Sequence, residues 1–303
     1  VLDINVFFTQ VINGLTLGTA YGLIAVGYTL VYSILRLVNF AHGEIYMAGC
    51  YAALFTVNAL LAAHSPTALI LIASLLVSMA VSVVLGLMIE RLAYRRVRRV
   101  SIPATMITSL GMSIVLQNVA FIAFGASPTS FKNTFPRGSV MVLGTPVLYI
   151  QLFLISVTVA SLVALMLWIN RTRTGIAMRC VAQDPLAAGL VGIDSNRMVI
   201  LAFAVGSAMA GMAGWLFGMY YGRAVFYMGL IPGLKAFTAC VIGGMGSIPG
   251  AMVGSIIMGE LEVLSGAYVS LDYKDAFSLG ALFIILILRP NGLFGGRDVA
   301  RRV

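Results

Sequence analysis

Charged side chains are what this sequence has least of: they make up 10% of its 303 residues, against 60% hydrophobic. A soluble fold carries about a quarter charged residues to cover its surface, so a soluble domain is excluded and a polytopic membrane protein is expected. Only three lysines occur, Lys132, Lys235 and Lys274, and none follows a glycine. A P-loop needs that glycine in GxxxxGK[ST], so ATP hydrolysis of the P-loop kind is excluded from this chain. With two histidines, His42 and His64, no HExxH and no paired carboxylates on a helix, no catalytic or metal site is expected. Cys50, Cys180 and Cys240 share no short spacing, which suggests neither a disulfide framework nor a zinc site.

Basic residues outnumber acidic ones by 19 to 10, but the arginines gather between apolar runs. That pattern marks cytoplasmic loops of a membrane protein and argues against a nucleic-acid partner. A membrane-crossing helix needs about 20 apolar residues. Runs that qualify lie near 10–34, 45–63, 67–89, 103–125, 148–169 and 198–219, with a shorter run at 276–288. The N-terminal stretch lacks a basic segment with a small-residue cleavage site and is not read as a signal peptide.

The arginines set the orientation. Arg91, Arg95, Arg96, Arg98 and Arg99 follow the third run, Arg171 to Arg197 the fifth, and Arg289, Arg297, Arg301 and Arg302 the last. All three clusters are expected in the cytoplasm, and loop 126–147, with Lys132 and Arg137, outside beside Ser65-Pro66. The N-terminus is then outside and the C-terminus inside, provided 234–266 returns to the side it left. This segment is interrupted by Gly243, Gly244, Gly246, Pro249 and Gly250. Such a break survives in lipid only inside protein or beside a water-filled cavity. It is expected as two shortened helices near a transport path, a tight turn between ordinary spans being the alternative. The fold class is therefore all-α, a bundle of about eight spans with a broken or re-entrant segment near 234–266.

Glycines four residues apart, Gly14-Gly18-Gly22, Gly214-Gly218-Gly222 and Gly246-Gly250-Gly254, mark faces where helix backbones approach closely. Between the first two spans, Asn39, His42 and Glu44 interrupt apolar sequence near the expected cytoplasmic edge. Intramembrane ionisable groups are candidate functional residues. The plainer reading makes Asn39 a cap and Glu44 a partner of the helix dipole. Glu260 and Glu262 are expected to reach the outer interface.

The longest polar island is 171–197, RTRTGIAMRCVAQDPLAAGLVGIDSNR. Its middle, 182–193, reads as a short helix with Gly189 and Gly192 at its far end, basic at its edges and apolar on one face. Such a helix suits a groove on a partner protein. Three classes remain: a proton-coupled carrier, a channel, or the membrane subunit of a pump whose motor is another chain. Ionisable residues are expected at edges and in loops rather than in mid-span, which favours the motor-driven class.

NGLTLGTAYGLIAVGYTLVYSILRLVNFAHGEIYMAG (13–49), ERLAYRRVR (90–98), TSLGMSIVLQN (108–118) and GLKAFTACVIGGMGSIPGAMVGSIIMGELE (233–262) together resemble the permease of bacterial branched-chain amino acid ABC importers, the leucine/isoleucine/valine type. The urea and short-chain amide importers share much of the pattern. The resemblance implies a single transmembrane permease domain over 1–303 in the bacterial inner membrane, with 171–197 as its cytoplasmic coupling loop. It implies a second homologous permease, two ATPase subunits on the cytoplasmic face and an extracytoplasmic substrate-binding protein, with ATP and Mg in the partner subunits and no cofactor in this chain. In the loop, Arg179, Ala182, Asp184, Ala187, Ala188 and Gly192 are the expected ATPase-coupling residues. The EAA-like pattern of the family has its Glu replaced by Gln183 here. Candidates for the translocation pathway are Asn39, His42, Glu44, Gly243, Gly244, Gly246, Pro249 and Gly250.

Overall fold

The computed structural model describes residues 4–97, 101–132, 135, 136, 138–142 and 144–294. Arg98, Arg99, Arg137, Arg297, Arg301 and Arg302 lie outside the described residues. Helix α1 (Ile4–Leu35) is followed by α2 (His42–Ala62) and α3 (Thr67–Ile89), which continues through a π-helical turn, Glu90–Tyr94, into α4 (Arg95–Val97). Then come α5 (Ile102–Phe124), strands β1 (Thr129–Ser130), β2 (Ser139–Val142) and β3 (Thr145–Leu148), and α6 (Tyr149–Arg171). Helices α7 (Arg173–Gln183) and α8 (Pro185–Leu190) lead into α9 (Ser195–Tyr221) and β4 (Arg223–Ala224). Finally α10 (Leu230–Gly243), α11 (Ile248–Tyr268) and α12 (Lys274–Leu288) complete the bundle. Among the described residues, seven helical stretches are long and apolar enough to cross a membrane, and α10 is a shorter apolar helix. Two small antiparallel pairs, β1 with β4 and β2 with β3, decorate one end of this all-α bundle.

α1 is the axis. Every residue from Gly18 to Val31 is buried, with α11, α9, α10 and α6 around it. A helix that is apolar all round belongs inside a bundle. In lipid, however, apolar character alone does not hold helices together, so small residues must bring backbones into contact. A Cβ on Gly18 would stand 2.7 Å from the Ile256 Cα and 2.8 Å from the Ser255 carbonyl oxygen. One on Gly259 would meet the backbone of Gly14 and Gly18. α2 and α9 cross in the same manner, Gly49 on Gly211 and Gly214 on the backbone of Tyr46 and Cys50. Gly222 and Gly246 do not belong to these faces. Both have positive φ, 67° and 92°, and a Cβ on either would meet open space.

A stripe that the sequence reading missed lies on α3, where Ser74, Ser78, Ser82 and Gly86 recur every fourth residue. Ser78 Oγ reaches the carbonyls of Gly49 (2.8 Å) and Gly211 (2.7 Å). Ser82 Oγ donates to Ile45 O at 3.2 Å, and Trp215 Nε1 donates to Ser74 Oγ at 2.8 Å. One face of α3 is thus bonded to α2 and α9, while Ile72, Leu76, Val84 and Met88 on the other face are exposed.

The broken segment is one short helix and one full one, not two shortened helices: α10 has 14 residues and α11 has 21. Their hairpin turn faces α7 across a cavity, with Gly243 and Gly250 back to back. The polypeptide after α12 returns to this turn. Leu293 N donates to Ile242 O (2.8 Å) and Phe294 N to Gly243 O (3.0 Å), satisfying carbonyls that the end of α10 would leave bare. The hairpin therefore opens back towards the strand end that α9 reached, as the parity argument required.

Replacing Gly18 with Val is expected to force α1 from α11, overpacking that costs about 1–3 kcal/mol or more. Gly111→Ala, where a Cβ on α5 meets nothing within 4 Å, is the matched control. Thermal unfolding of the detergent-purified chain measures both, and a Gly18 variant as stable as the Gly111 variant contradicts the packing account.

Candidate coupling and translocation sites

The island 171–197 folds as two helices rather than one helix over 182–193, because Asp184-Pro185 interrupts it. Proline cannot donate within a helix but suits its first position, and Asp184 caps the new helix. Its Oδ1 accepts from Leu186 N (2.9 Å) and Ala187 N (3.0 Å). Gly192, with φ of 83°, closes α8 while Ile193 N bonds back to Ala188 O at 3.0 Å. Met178, Val181 and Ala188 are buried and anchor the pair, whereas Leu186, Leu190 and Val191 are 83%, 90% and 74% exposed. Ala187 and Arg179 are exposed as well.

Two groups of candidate residues that are distant in sequence meet here. A cavity of about 480 Å³ is lined by Arg179 and Ala182 of α7, Arg36 at the end of α1, and Gly246 and Pro249 of the α10–α11 turn. Gly244 and Gly246 make the turn through positive φ, 102° and 92°, a conformation that L side chains rarely adopt. Gly246 is constrained by that conformation and not by close contact.

Asn39, His42 and Glu44 are not at an edge. They are 1%, 1% and 0% exposed. α1 ends, Arg36 turns the chain with φ of 54°, and Leu37 to Ala41 run back into the bundle. His42 packs edge-on to Tyr28, ring centroids 4.8 Å apart, and against Gly27. α2 thus begins level with a point eight residues, about 12 Å at 1.5 Å each, inside the end of α1. Asn39 Oδ1 accepts from Ala41 N (3.1 Å) and Tyr94 Oη (3.0 Å), so it does tie down the re-entrant backbone. Glu44 Oε1 accepts from Ser113 Oγ (3.1 Å) and Gln117 Nε2 (2.8 Å) of α5. Its Oε2 lies beside Gly229, the residue before α10, without a hydrogen bond. Two helix N-termini, those of α2 and α10, therefore meet inside the bundle around one carboxylate, an arrangement suited to anionic groups.

Deeper in the hairpin is a charge cluster that sequence reasoning missed. Lys235 Nζ, on α10, stands 2.7 Å from Glu262 Oε1 on α11 and 2.6 Å from Asp275 Oδ1 on α12. Tyr21 Oη donates to Glu262 Oε2 at 2.9 Å. Lys235 and Glu262 are buried, so Glu262 does not reach an interface, and Glu260 is half-buried against Gly14. The expectation that ionisable residues keep to the edges fails, because acids 27 and 40 positions from Lys235 find it only in the folded hairpin. Placement of charge therefore does not separate a carrier from a motor-driven pump.

Removing one member of a buried ion pair costs about 3–5 kcal/mol, because the other charge loses its partner; without Lys235, Glu262 keeps the Tyr21 hydroxyl and the longer contact to Lys274 Nζ at 3.9 Å. Lys235→Met is expected to lower the unfolding temperature more than Lys235→Met combined with Glu262→Met. Equal midpoints would show that the pair is not desolvated as described.

Comparison with known proteins matches the organisation just described. Residues 10–286 match the family described as branched-chain amino acid transport system, permease component. The permeases LivH of Salmonella typhimurium and LivH of Escherichia coli K12 are each 40% identical over 300 residues, covering 97% of this chain and 97% of theirs. BraD of Pseudomonas aeruginosa is 38% identical over 304 residues, covering 99% of both chains. All three carry the name high-affinity branched-chain amino acid transport system permease protein. Full-length identity at this level, on a bundle of seven long apolar helices, leaves one assignment: the chain belongs to the branched-chain amino acid transport permease family.

Proposed function

We propose that this chain forms one half of the path through an ATP-driven importer of branched-chain amino acids in the bacterial inner membrane, as a single domain over 1–303. A second, homologous permease supplies the other half, two ATPase subunits grip the α7–α8 face, and an extracytoplasmic binding protein delivers cargo to the strand end. Cargo identity rests on the names of the relatives that match along the whole chain. The α7–α8 face is the cytoplasmic one, because Arg36, Arg91, Arg95, Arg96 and Arg179 belong to that end. The N-terminus is then outside and the C-terminus inside.

The observation that carries the reading is α8 itself. Leu186, Leu190 and Val191 stand out into solvent from a capped, anchored helix, where their exposure has no use in a free protein. Apolar residues presented on a rigid element are the anchors that a partner groove takes up. Motion of such a partner passes through Asp184 and α7 to the cavity that α7 shares with Arg36 and the Gly243–Pro249 turn, and so to α10 and α11. Differential contact with nucleotide-bound and nucleotide-free motors then shifts the bundle between two states.

Leu186→Asp with Leu190→Asp should leave the chain inserted and folded while weakening motor association at least about 30-fold, the effect of losing roughly 2 kcal/mol of anchor contact. Co-purification of the ATPases and ATP-driven uptake in vesicles measure this. Normal uptake at normal subunit levels would remove α8 from the coupling path. Asp184→Ala, which loses only a cap worth about 1 kcal/mol, is expected to lower coupling less.

A further inference from the structure

A second cavity, of about 230 Å³, opens at the strand end, at the far end of α10 from the coupling turn. Its floor is aromatic. Tyr21, Tyr46 and Phe217 are buried there, with Phe217 edge-on to Tyr46 (5.4 Å between centroids) and stacked on Tyr221 (5.5 Å). At the rim, Tyr221 and Tyr227 are about half exposed. Arg223 reaches the cavity from β4, whose pairing with β1 sets Arg223 opposite Ser130. Among the described residues no carboxylate pairs with Arg223. The first turn of α10, with Ile231 and Pro232, forms the remaining wall and has no side-chain cap.

These groups complement a zwitterion with an apolar side chain. An unpaired guanidinium is a carboxylate site, since the fork of Arg binds both oxygens; the start of α10 adds partial positive charge and at most the Ile231 N–H, because Leu230 N is bonded to Tyr227 O and Pro232 has no N–H. Tyrosine faces attract an ammonium group. Tyr21 is already partnered, with Lys235 Nζ 6.0 Å over its ring and its hydroxyl donated to Glu262 at 2.9 Å, so the ammonium falls to Tyr46, Tyr221 and Tyr227. Phe217, Met228 and Ile231 offer an apolar lining of limited size. The volume is below the range of about 300–1,000 Å³ typical of drug-sized ligands, as a small cargo requires.

We infer that this cavity is a transit site for an α-amino acid with an aliphatic side chain, Arg223 taking its carboxylate and the tyrosine box its ammonium. The inference rests on the amino-acid cargo proposed above and deepens it: the permease reads the backbone of the cargo itself after the binding protein has released it. Because the cavity lies at the outer end of α10, whose inner end forms the turn beside α7, occupancy and motor position act on the same helix.

The complete importer, in nanodiscs and without its binding protein, provides the test, with labelled leucine as ligand and leucinol, which lacks the carboxylate, as competitor. Wild type is expected to prefer leucine to leucinol by at least about tenfold, the worth of one charge-assisted carboxylate contact. Arg223→Gln should bring the ratio near one, and Arg223→Lys should restore part of it. A structural defect alone would weaken both ligands together and leave the ratio unchanged. If wild type takes up leucine in vesicles while Arg223→Gln keeps the wild-type ratio, or while the receptor-free complex binds no leucine, the site is wrong and the importer reading stands. If wild type with its binding protein imports no branched-chain amino acid, both fall together.

Discussion

The structure depends on backbone touching backbone around α1. Lipid gives an apolar helix no reason to leave it for another apolar helix, so the bundle is held by van der Waals contact at short range and by hydrogen bonds that only short range permits. Gly18 against Ser255 and Ile256, Gly259 against Gly14 and Gly18, and Gly49 against Gly211 are contacts of this kind. Once backbones are that close, a serine hydroxyl on one helix reaches a carbonyl on the next, as Ser78 does twice. Polar side chains in this bundle act as short crosslinks whose length is set by the glycines beside them.

That closeness also makes room for irregular backbone at depth. The chain re-enters after Leu35 to begin α2 at His42, and α10 begins beside it at Gly229. The first is enclosed by helices and the second borders the cavity at the strand end, the two conditions under which non-helical backbone is tolerated at membrane depth. Asn39 and Tyr94 bond the first of them, and Leu293 and Phe294 complete the inner end of α10. The ion pair of Lys235 with Glu262 and Asp275 belongs to the same logic: a cation on a half-length helix is buried only because α11 and α12 each bring it an acid. Such a cluster adds little net stability against an apolar one of the same shape, but it specifies how the three helices seat together.

Much of this could be read from the sequence, and the failures have a common cause. Span positions and the clustering of arginine at one end follow from composition over windows of about 20 residues, which local sequence contains in full. Asp184-Pro185 was legible as a helix start too, had the two residues been taken together, since an N-cap acid before proline is a strong local signal. The burial of Asn39, His42 and Glu44 was not, because hydropathy places an interruption between two spans without saying how deep it sits. The cluster of Lys235, Glu262 and Asp275 was less legible still, each residue alone looking like an edge charge. Gly246 was misread for a related reason: a four-residue glycine repeat signifies contact only within one helix, and α11 begins after it, at Ile248.

The place of α10 in this arrangement limits how the proposed importer can move. A helix of 14 residues spans about 21 Å, and its two ends differ, the inner one a turn facing α7 across a cavity, the outer one in the wall of the smaller cavity at the strand end. α10 is closely seated along α11, because Gly254 takes the Ala239 carbonyl into a pocket with no room for a Cβ. In the proposed importer the hairpin of α10 and α11 then moves as one body, with Lys235 as its link to α12. In the proposed mechanism a displacement of α8 reaches the hairpin across the cavity that α7 shares with its turn, and appears at the far end of the same body. A short, tightly seated helix can transmit a push in a bundle where longer apolar helices facing lipid would yield to it.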